Sequence, residues 1–281
     1  TRRSSDLSLI DIFHLSDEQI NILFSSRIPR TVSILLSGSS LALSGLIMQQ
    51  MMQNKFVSPT TAGTMEWAKL GILMSLLFFP NGPILIKLLF AVVLSIVGTF
   101  LFVQLINLIR VKDVIFVPLL GIMIGGILSS FTTFVALRTN ALQSIGNWLT
   151  GNFAVITSGR FEVLYLTIPL LILAFVFANH FTIAGMGKDF SHNLGVSYEK
   201  IIKIALFITA TLTALVVVTV GTLPFLGLIV PNIISIYRGD HLKNALPHTL
   251  MLGAIFVLIA DIIGRIIVYP YEINIDRKSV V

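Results

Sequence analysis

The sequence of 281 residues contains no cysteine. That excludes disulfides, thiolate metal sites and cysteine nucleophiles. Charge is scarce too: Asp, Glu, Lys and Arg make up 11% of the chain, against about 25% in soluble domains. There is no HExxH helix of the kind that holds zinc. The nearest approach to a phosphate loop, Gly185-Met186-Gly187-Lys188, lacks the Gly-x4-Gly-Lys-Ser/Thr spacing that cradles phosphates. The histidines, at positions 14, 180, 192, 241 and 248, are dispersed and read as solvated or locally hydrogen-bonded groups. No nucleophile and base fall together, so the sequence offers no catalytic residue and no metal site. The net charge of +6 is modest and scattered over segment ends, which argues against nucleic acid as a partner.

What remains is hydrophobic. Apolar residues are 55% of the chain and the mean hydropathy is +0.94. A soluble domain so composed would expose large apolar patches to water, whereas lipid accepts them. A membrane span needs about 20 apolar residues to cross about 30 Å of hydrocarbon. About eight such runs are present, near 31–53, 61–79, 83–109, 114–137, 163–181, 201–220, 222–237 and 246–268. The seventh is the weakest, being short and holding Pro224 and Pro231. Helices are the only open-chain structures that satisfy their backbone in lipid. The expected fold is therefore an all-α, polytopic transmembrane helix bundle, one domain over 1–281.

The separators carry turn chemistry. Pro80-Asn81-Gly82-Pro83 is a tight turn and Arg110-Val111-Lys112-Asp113 a charged hairpin. Residues 138–162 are amphipathic, with Trp148 expected as an interfacial anchor. Residues 182–200 form the longest polar stretch between adjacent spans. Residues 1–26 read as a loop outside the bundle and 273–281 as a polar tail, so a chain trimmed at both ends is expected. Lys and Arg divide almost evenly between the two sides, which leaves orientation open.

Small residues recur four apart at Gly38/Ala42, Ser40/Ser44 and Gly121/Gly125. Such pairs let helix backbones approach, either within one bundle or between subunits. Charges inside the apolar runs are costly, about 2.5–3.5 kcal/mol at the bilayer centre. Glu66 and Lys69 are three apart, and Asp261 and Arg265 four apart, so each pair shares a helix face. Each is either a self-neutralising pair or part of a polar pathway. Arg27-Ile28-Pro29-Arg30 opens the first run, with proline where its missing N–H is not needed. The two arginines are either snorkelling anchors or a docking site for an acidic partner.

Residues 27–63 read RIPRTVSILLSGSSLALSGLIMQQMMQNKFVSPTTAG. This resembles the second span and following loop of the FecCD/BtuC-type permeases, membrane subunits of ABC importers for iron–siderophores, haem and cobalamin. Their pattern is R-x-P-R, a small-residue helix, G-x-x-x-Q and N-P-L-x-x-P-x-x-x-G. Gly45, Gln49, Asn54, Pro59 and Gly63 fall in register, while Lys55 and Phe56 replace the usual Pro and Leu. Gly187 to Val196 is similar to the family's cytoplasmic coupling segment. Gly221 to Pro231 matches its G-x-x-x-F-x-G-L-x-x-P, with Asn232 where His is usual. Gly239-Asp240-His241, Leu246-Pro247, Gly253-Ala254 and Ala260-Asp261 with Arg265 complete the run, so the likeness spans nearly all of 27–272. The variants QNKFVSPTTAG and VPN look most like the branch importing catecholate or petrobactin-type siderophores.

The resemblance implies a ten-span family fold of which this chain lacks the first and last, with residues past Asn274 departing from the pattern. It implies that the fragment's ends face outward and that 182–200 faces the cytoplasm of a bacterial cell. It implies docking of an extracellular substrate-binding lipoprotein at Arg27, Arg30 and Arg265. Coupling to the ATPase falls within 185–200, on Gly187, Asp189, Phe190, Asn193, Leu194 and Gly195. Gln49, Asn54, Pro59, Gly63, Gly227, Pro231 and Asp261 are motif positions of the bundle and its pathway, to which Glu66 and Lys69 are added as candidates. The implied assembly has a second permease subunit, identical or homologous, and two cytoplasmic ATPase subunits. ATP and Mg would be used by those ATPases, with no cofactor on this chain and a ferric siderophore as cargo. The alternative is a transporter driven by an ion gradient, with Glu66, Lys69 and Asp261 as its relay.

Overall fold

The computed structural model describes residues 17–108, 115–153, 156, 159, 161–239 and 241–267. The helices are α1 (Asp17–Ile22), α2 (Ile28–Met52), α3 (Thr64–Phe78), α4 (Ile84–Leu108), α5 (Phe116–Arg138), α6 (Leu142–Leu149), α7 (Thr167–Val176), α8 (Ala178–Ala184), α9 (Lys188–Asn193), α10 (Tyr198–Thr219), α11 (Leu226–Arg238) and α12 (Leu242–Ile266). A π turn at Leu23–Arg27 precedes α2, and a 3-10 turn at Phe161–Leu166 precedes α7. The hairpin at 110–113, residues 1–16 and the polar tail lie outside the described residues.

Each of the eight apolar runs lies on a helix, but they are not eight equal spans. Five helical stretches have the length and apolar character to cross a membrane: Leu23–Met52, Ile84–Leu108, Phe116–Arg138, Tyr198–Thr219 and Leu242–Ile266. A sixth is broken, Phe161–Val176 and Ala178–Ala184 meeting at 59°. The other two are short. The 15 residues of α3 and 13 of α11 rise about 22 and 20 Å at 1.5 Å each, less than the hydrocarbon thickness.

Backbone conformation explains the shortening. Gly63, before α3, has φ +75° and Phe225, before α11, has φ +63°, a left-handed region in which no helix continues. The chain ahead of α3 is folded into the protein instead. Ser58 and Thr61 are buried and satisfy one another: Thr61 Oγ1 accepts from the Ser58 N–H at 2.8 Å and Ser58 Oγ from the Thr61 N–H at 3.2 Å. Irregular backbone is tolerated at membrane depth only when its polar groups are paired in this way.

The described part of the expected outer loop, residues 17–26, is helical and leads directly into α2. The reason for the π turn is Pro29. Its ring crowds the carbonyl four residues back and it has no N–H to offer, so the turn before it widens rather than breaks.

The α2 helix forms the centre. It and α10 are 72% buried over their span windows, against 33% for α4, 22% for α5 and 28% for α12. The outer three therefore turn most of their surface to lipid or to another subunit. Close approach is set by glycine. A Cβ on Gly38 would overlap the Gly253 carbonyl of α12, and one on Gly45 the Gly227 carbonyl of α11. Gly121 likewise accommodates the Thr61 carbonyl, and Gly125 faces Gly63 and Glu66, so that GxxxG pair packs within this chain. Ser40/Ser44 do not bridge helices: the Ser44 hydroxyl bonds back to the Ser40 carbonyl at 2.8 Å, and Ser39 crosses to Leu250 instead. Trp148 packs half-buried against the core, with the Lys87 ammonium 5.3 Å from its ring centroid. It is a cation–π partner of α4, in addition to any part it takes at the membrane interface.

Candidate functional site

Conspicuous polar chemistry gathers at the two ends of α2. At the end the resemblance places outside, Asp261 is 5% exposed and both its oxygens are taken. Arg30 donates to Oδ1 at 2.7 Å and Arg265 to Oδ2 at 2.9 Å. The carboxylate therefore joins the first turn of α2 to the last turn of α12. Arg30 is 13% exposed and Arg265 45%, so Arg30 is mainly a tie and Arg265 presents its guanidinium outward. Arg27, one turn before Arg30, is exposed. Sequence spacing pairs Asp261 with Arg265, but not with Arg30, which lies 231 positions away.

The family-like motifs meet in the lower half of the bundle, and their residue types have physical reasons. Pro231, inside α11, has no N–H for the carbonyl four residues back, which is that of Gly227. That carbonyl points at Gly45, whose lack of a Cβ admits it. One turn on, the Gln49 amide reaches the Leu228 carbonyl at 3.4 Å. Asn54 shapes the loop that follows the helix, its Oδ1 accepting from the Phe56 N–H at 2.9 Å. Pro59 packs against Gly227. The departures from the pattern also meet: the Asn232 amide donates to the Lys55 carbonyl at 2.9 Å, and the Lys55 ammonium to Ser235 Oγ at 2.9 Å.

Toward the opposite end, the polar 182–200 stretch forms α9 between two left-handed glycines, Gly187 at φ +110° and Gly195 at φ +72°. Its length and its stop follow from sequence: Asn193 is its last residue and Gly195 turns the chain away. Asp189, Phe190 and Leu194 are exposed, the last two at 48% and 55%. Phe190 on this short, glycine-bounded helix and Leu194 just past its end thus stand out from the chain. Ser191 is fully buried, its hydroxyl 2.8 Å from the Gly187 carbonyl and 3.2 Å from that of Ile183. It fastens α9 to α8 from the inner side of the helix. The Lys188–Glu199 pair at 3.7 Å is exposed on both sides and adds little.

Beside α9 lies a cavity of about 440 Å³. Leu46 and Met186 contribute apolar wall, and Gln49, Gln53, Lys55, Thr182, Ser235 and His241 place polar groups along it. Gln53 spans toward α9, its amide donating to the Gly185 carbonyl at 2.8 Å. Sequence reasoning passed over Gln53 and Ser191, because neither glutamine in a helix end nor serine in a polar stretch carries a distinctive signal.

Glu66 and Lys69 do pair, at 2.7 Å, and both are about one-fifth exposed. The second Glu66 oxygen is buried with no hydrogen-bond partner among the described residues. Glu66 lies against Gly125 of α5, while Asp261 is engaged by its two arginines. Of the three groups named for an ion relay, Glu66 and Lys69 thus sit in one pairing and Asp261 in another. Among the described residues no group of three His, Asp or Glu could hold a metal ion.

A bundle of long apolar helices around a glycine-packed centre, with an arginine-bearing end and a short exposed helix at the other, is that of a transport permease. The model of the FecCD transport family matches residues 3–277, and the chain belongs to that family. It is 55% identical to a petrobactin import system permease protein of Bacillus subtilis, over 96% of this chain and 85% of the relative. It is 38% identical to a petrobactin permease of Bacillus anthracis, over 92% and 78%. The ferric-anguibactin permease of Vibrio anguillarum is 36% identical over 92% and 82%. A metal-chelate-type ABC transporter solved in an inward-facing conformation has the same fold, with a TM-score of 0.79 and 22% identity, covering 97% of this chain and 88% of the other. The chain is thus a multi-pass membrane component of an ABC import system, which sets aside the ion-gradient alternative.

Proposed function

We propose that this chain carries a ferric siderophore of the petrobactin class across the bacterial cytoplasmic membrane. The observation that carries this reading is the 55% identity to a petrobactin permease across nearly the whole of both chains. In this reading two permease subunits enclose one pathway. An extracellular binding lipoprotein delivers the chelate, its acidic residues meeting Arg27 and Arg265, with Arg30 holding the mouth together through Asp261. Arg suits that role because its planar fork forms bidentate carboxylate pairs. Two cytoplasmic ATPase subunits grip α9 through Asp189, Phe190 and Leu194, and their closure on ATP and Mg moves it. This chain supplies no nucleotide site and binds the cargo weakly, selectivity residing in the lipoprotein.

Proteoliposomes holding the permease, its ATPases and the loaded lipoprotein test this. Uptake of radiolabelled ferric petrobactin should require ATP and exceed that of ferric citrate and ferric hydroxamates. Equal uptake of all three chelates would remove the substrate assignment. Uptake driven by a proton gradient without ATP would remove the mechanism.

A further inference from the structure

We infer that Gln53 is a positioning residue of transport, the tie through which movement of α9 reaches α2. The inference rests on α9 being the ATPase contact, and concerns what α9 moves.

The geometry is specific. Gln53 follows α2 immediately and has φ +49°, a left-handed conformation that non-glycine residues enter at a cost. Its own N–H still caps α2 on the Gln49 and Gln50 carbonyls. That conformation ends the helix and leaves the side chain bonded to the Gly185 carbonyl at 2.8 Å. A second α2 residue converges on the same point: a Cβ on Gly185 would overlap the Gln50 side chain. Two glutamines, Gln50 in the last turn of α2 and Gln53 just past it, therefore bear on one glycine.

That glycine lies at the elbow of the coupling segment. Residues 185–187 read Gly-Met-Gly, joining α8 to α9, and Gly187 has φ +110°. Ser191 locks the far side of the elbow by bonding across it to Gly187 and Ile183. The elbow and α9 then move as one piece, and Gln53 joins that piece to α2. The cavity alongside, about 440 Å³ and lined by Gln50, Gln53, Gly185 and Met186, leaves room for the displacement. Close glycine contacts, at Gly45 with α11 and at Gly38 with α12, make α2 slide only with its neighbours. A pull at Gln53 is therefore delivered to the centre of the bundle.

The test uses the reconstituted complex of full-length permease, ATPases and lipoprotein, reading chelate imported per ATP hydrolysed. Q53L and Q53E remove the donor with opposite polarity, so at least one should fold; Q53K restores an N–H donor of similar reach. Losing one neutral hydrogen bond shifts an equilibrium by up to about tenfold. The expected result is a fall of about three- to tenfold in import per ATP, with ATP hydrolysis unchanged and the ratio recovered in Q53K. An unchanged ratio overturns the inference, as does an equal fall of import and hydrolysis, which marks a merely structural role. Failure of Q53K to recover the ratio overturns it too. If the unsubstituted complex imports no chelate with ATP, it is the proposed function that fails, not the role of Gln53.

Discussion

The two ends of α2 are held by different chemistry. At the outer end one buried carboxylate binds two guanidiniums. At the inner end the ties are single hydrogen bonds, from the neutral Gln49, Gln53 and Asn232 and from the exposed Lys55 ammonium to Ser235, beside an open cavity. A cluster centred on a buried carboxylate resists opening, since separating it leaves a buried charge. Single hydrogen bonds near water cost less to rearrange. The difference suits the proposed roles, a docking face that keeps its shape and a coupling face that moves.

Breaking the outer cluster should have the largest effect. D261A removes the carboxylate shared by largely buried Arg30 and by Arg265, and removal of one partner from a buried pair costs about 3–5 kcal/mol. The expected outcome is a marked drop in the thermal midpoint in detergent, with import lost alongside. A midpoint equal to that of the unsubstituted chain would show that the two ends are not held differently. Next comes the packing between them. G45V should drive α2 from α11, because the added carbons meet the Gly227 carbonyl; overpacking of this kind costs about 1–3 kcal/mol. Thermal unfolding measures it, and V or A tolerated at Gly45 would undo the close approach described.

Smaller effects on folding should accompany substitutions on the inner face. Replacing Asp189, Phe190 and Leu194 together should leave the thermal midpoint within error, because all three side chains point outward. ATP hydrolysis would then continue without import. Normal import by the triple variant would place the coupling surface elsewhere. The mildest change is R27E. It should weaken lipoprotein docking at low salt and much less at high salt, as exposed charges are screened within about 8–10 Å at physiological ionic strength. Docking measured across a salt series that shows no difference from the unsubstituted chain would remove Arg27 from the docking face.

Much of this was legible in sequence for a simple reason: lipid demands long apolar runs, and all eight such runs became helices. The helix α9 and its stop were legible because Gly195 marks a left-handed turn. Less visible was the bend between α7 and α8, which falls at Phe177, eight residues past Pro169, where residues 170–178 hold neither proline nor glycine to mark it. The shortness of α3 was hidden because Thr61, Ala62 and Gly63, folded ahead of the helix, pass in sequence for the start of a span. Partners distant in sequence were invisible altogether. Asp261 reads as an i, i+4 companion of Arg265, and only the fold brings Arg30 to its other oxygen. Lys55 and Asn232, noticed separately as departures from a pattern, turn out to adjoin each other.

The contrast between the two ends can be measured directly because the chain has no native cysteine to interfere with labelling. Spin labels at exposed Thr31 and Ile262 report the outer end, and labels at exposed Leu108 and Met186 the inner end. Pulsed distance measurements would be made on the reconstituted complex without nucleotide and trapped with ATP. The Thr31–Ile262 distribution should keep its position while the Leu108–Met186 distribution shifts by more than its own width. An outer distance that moves as far as the inner one would contradict the account.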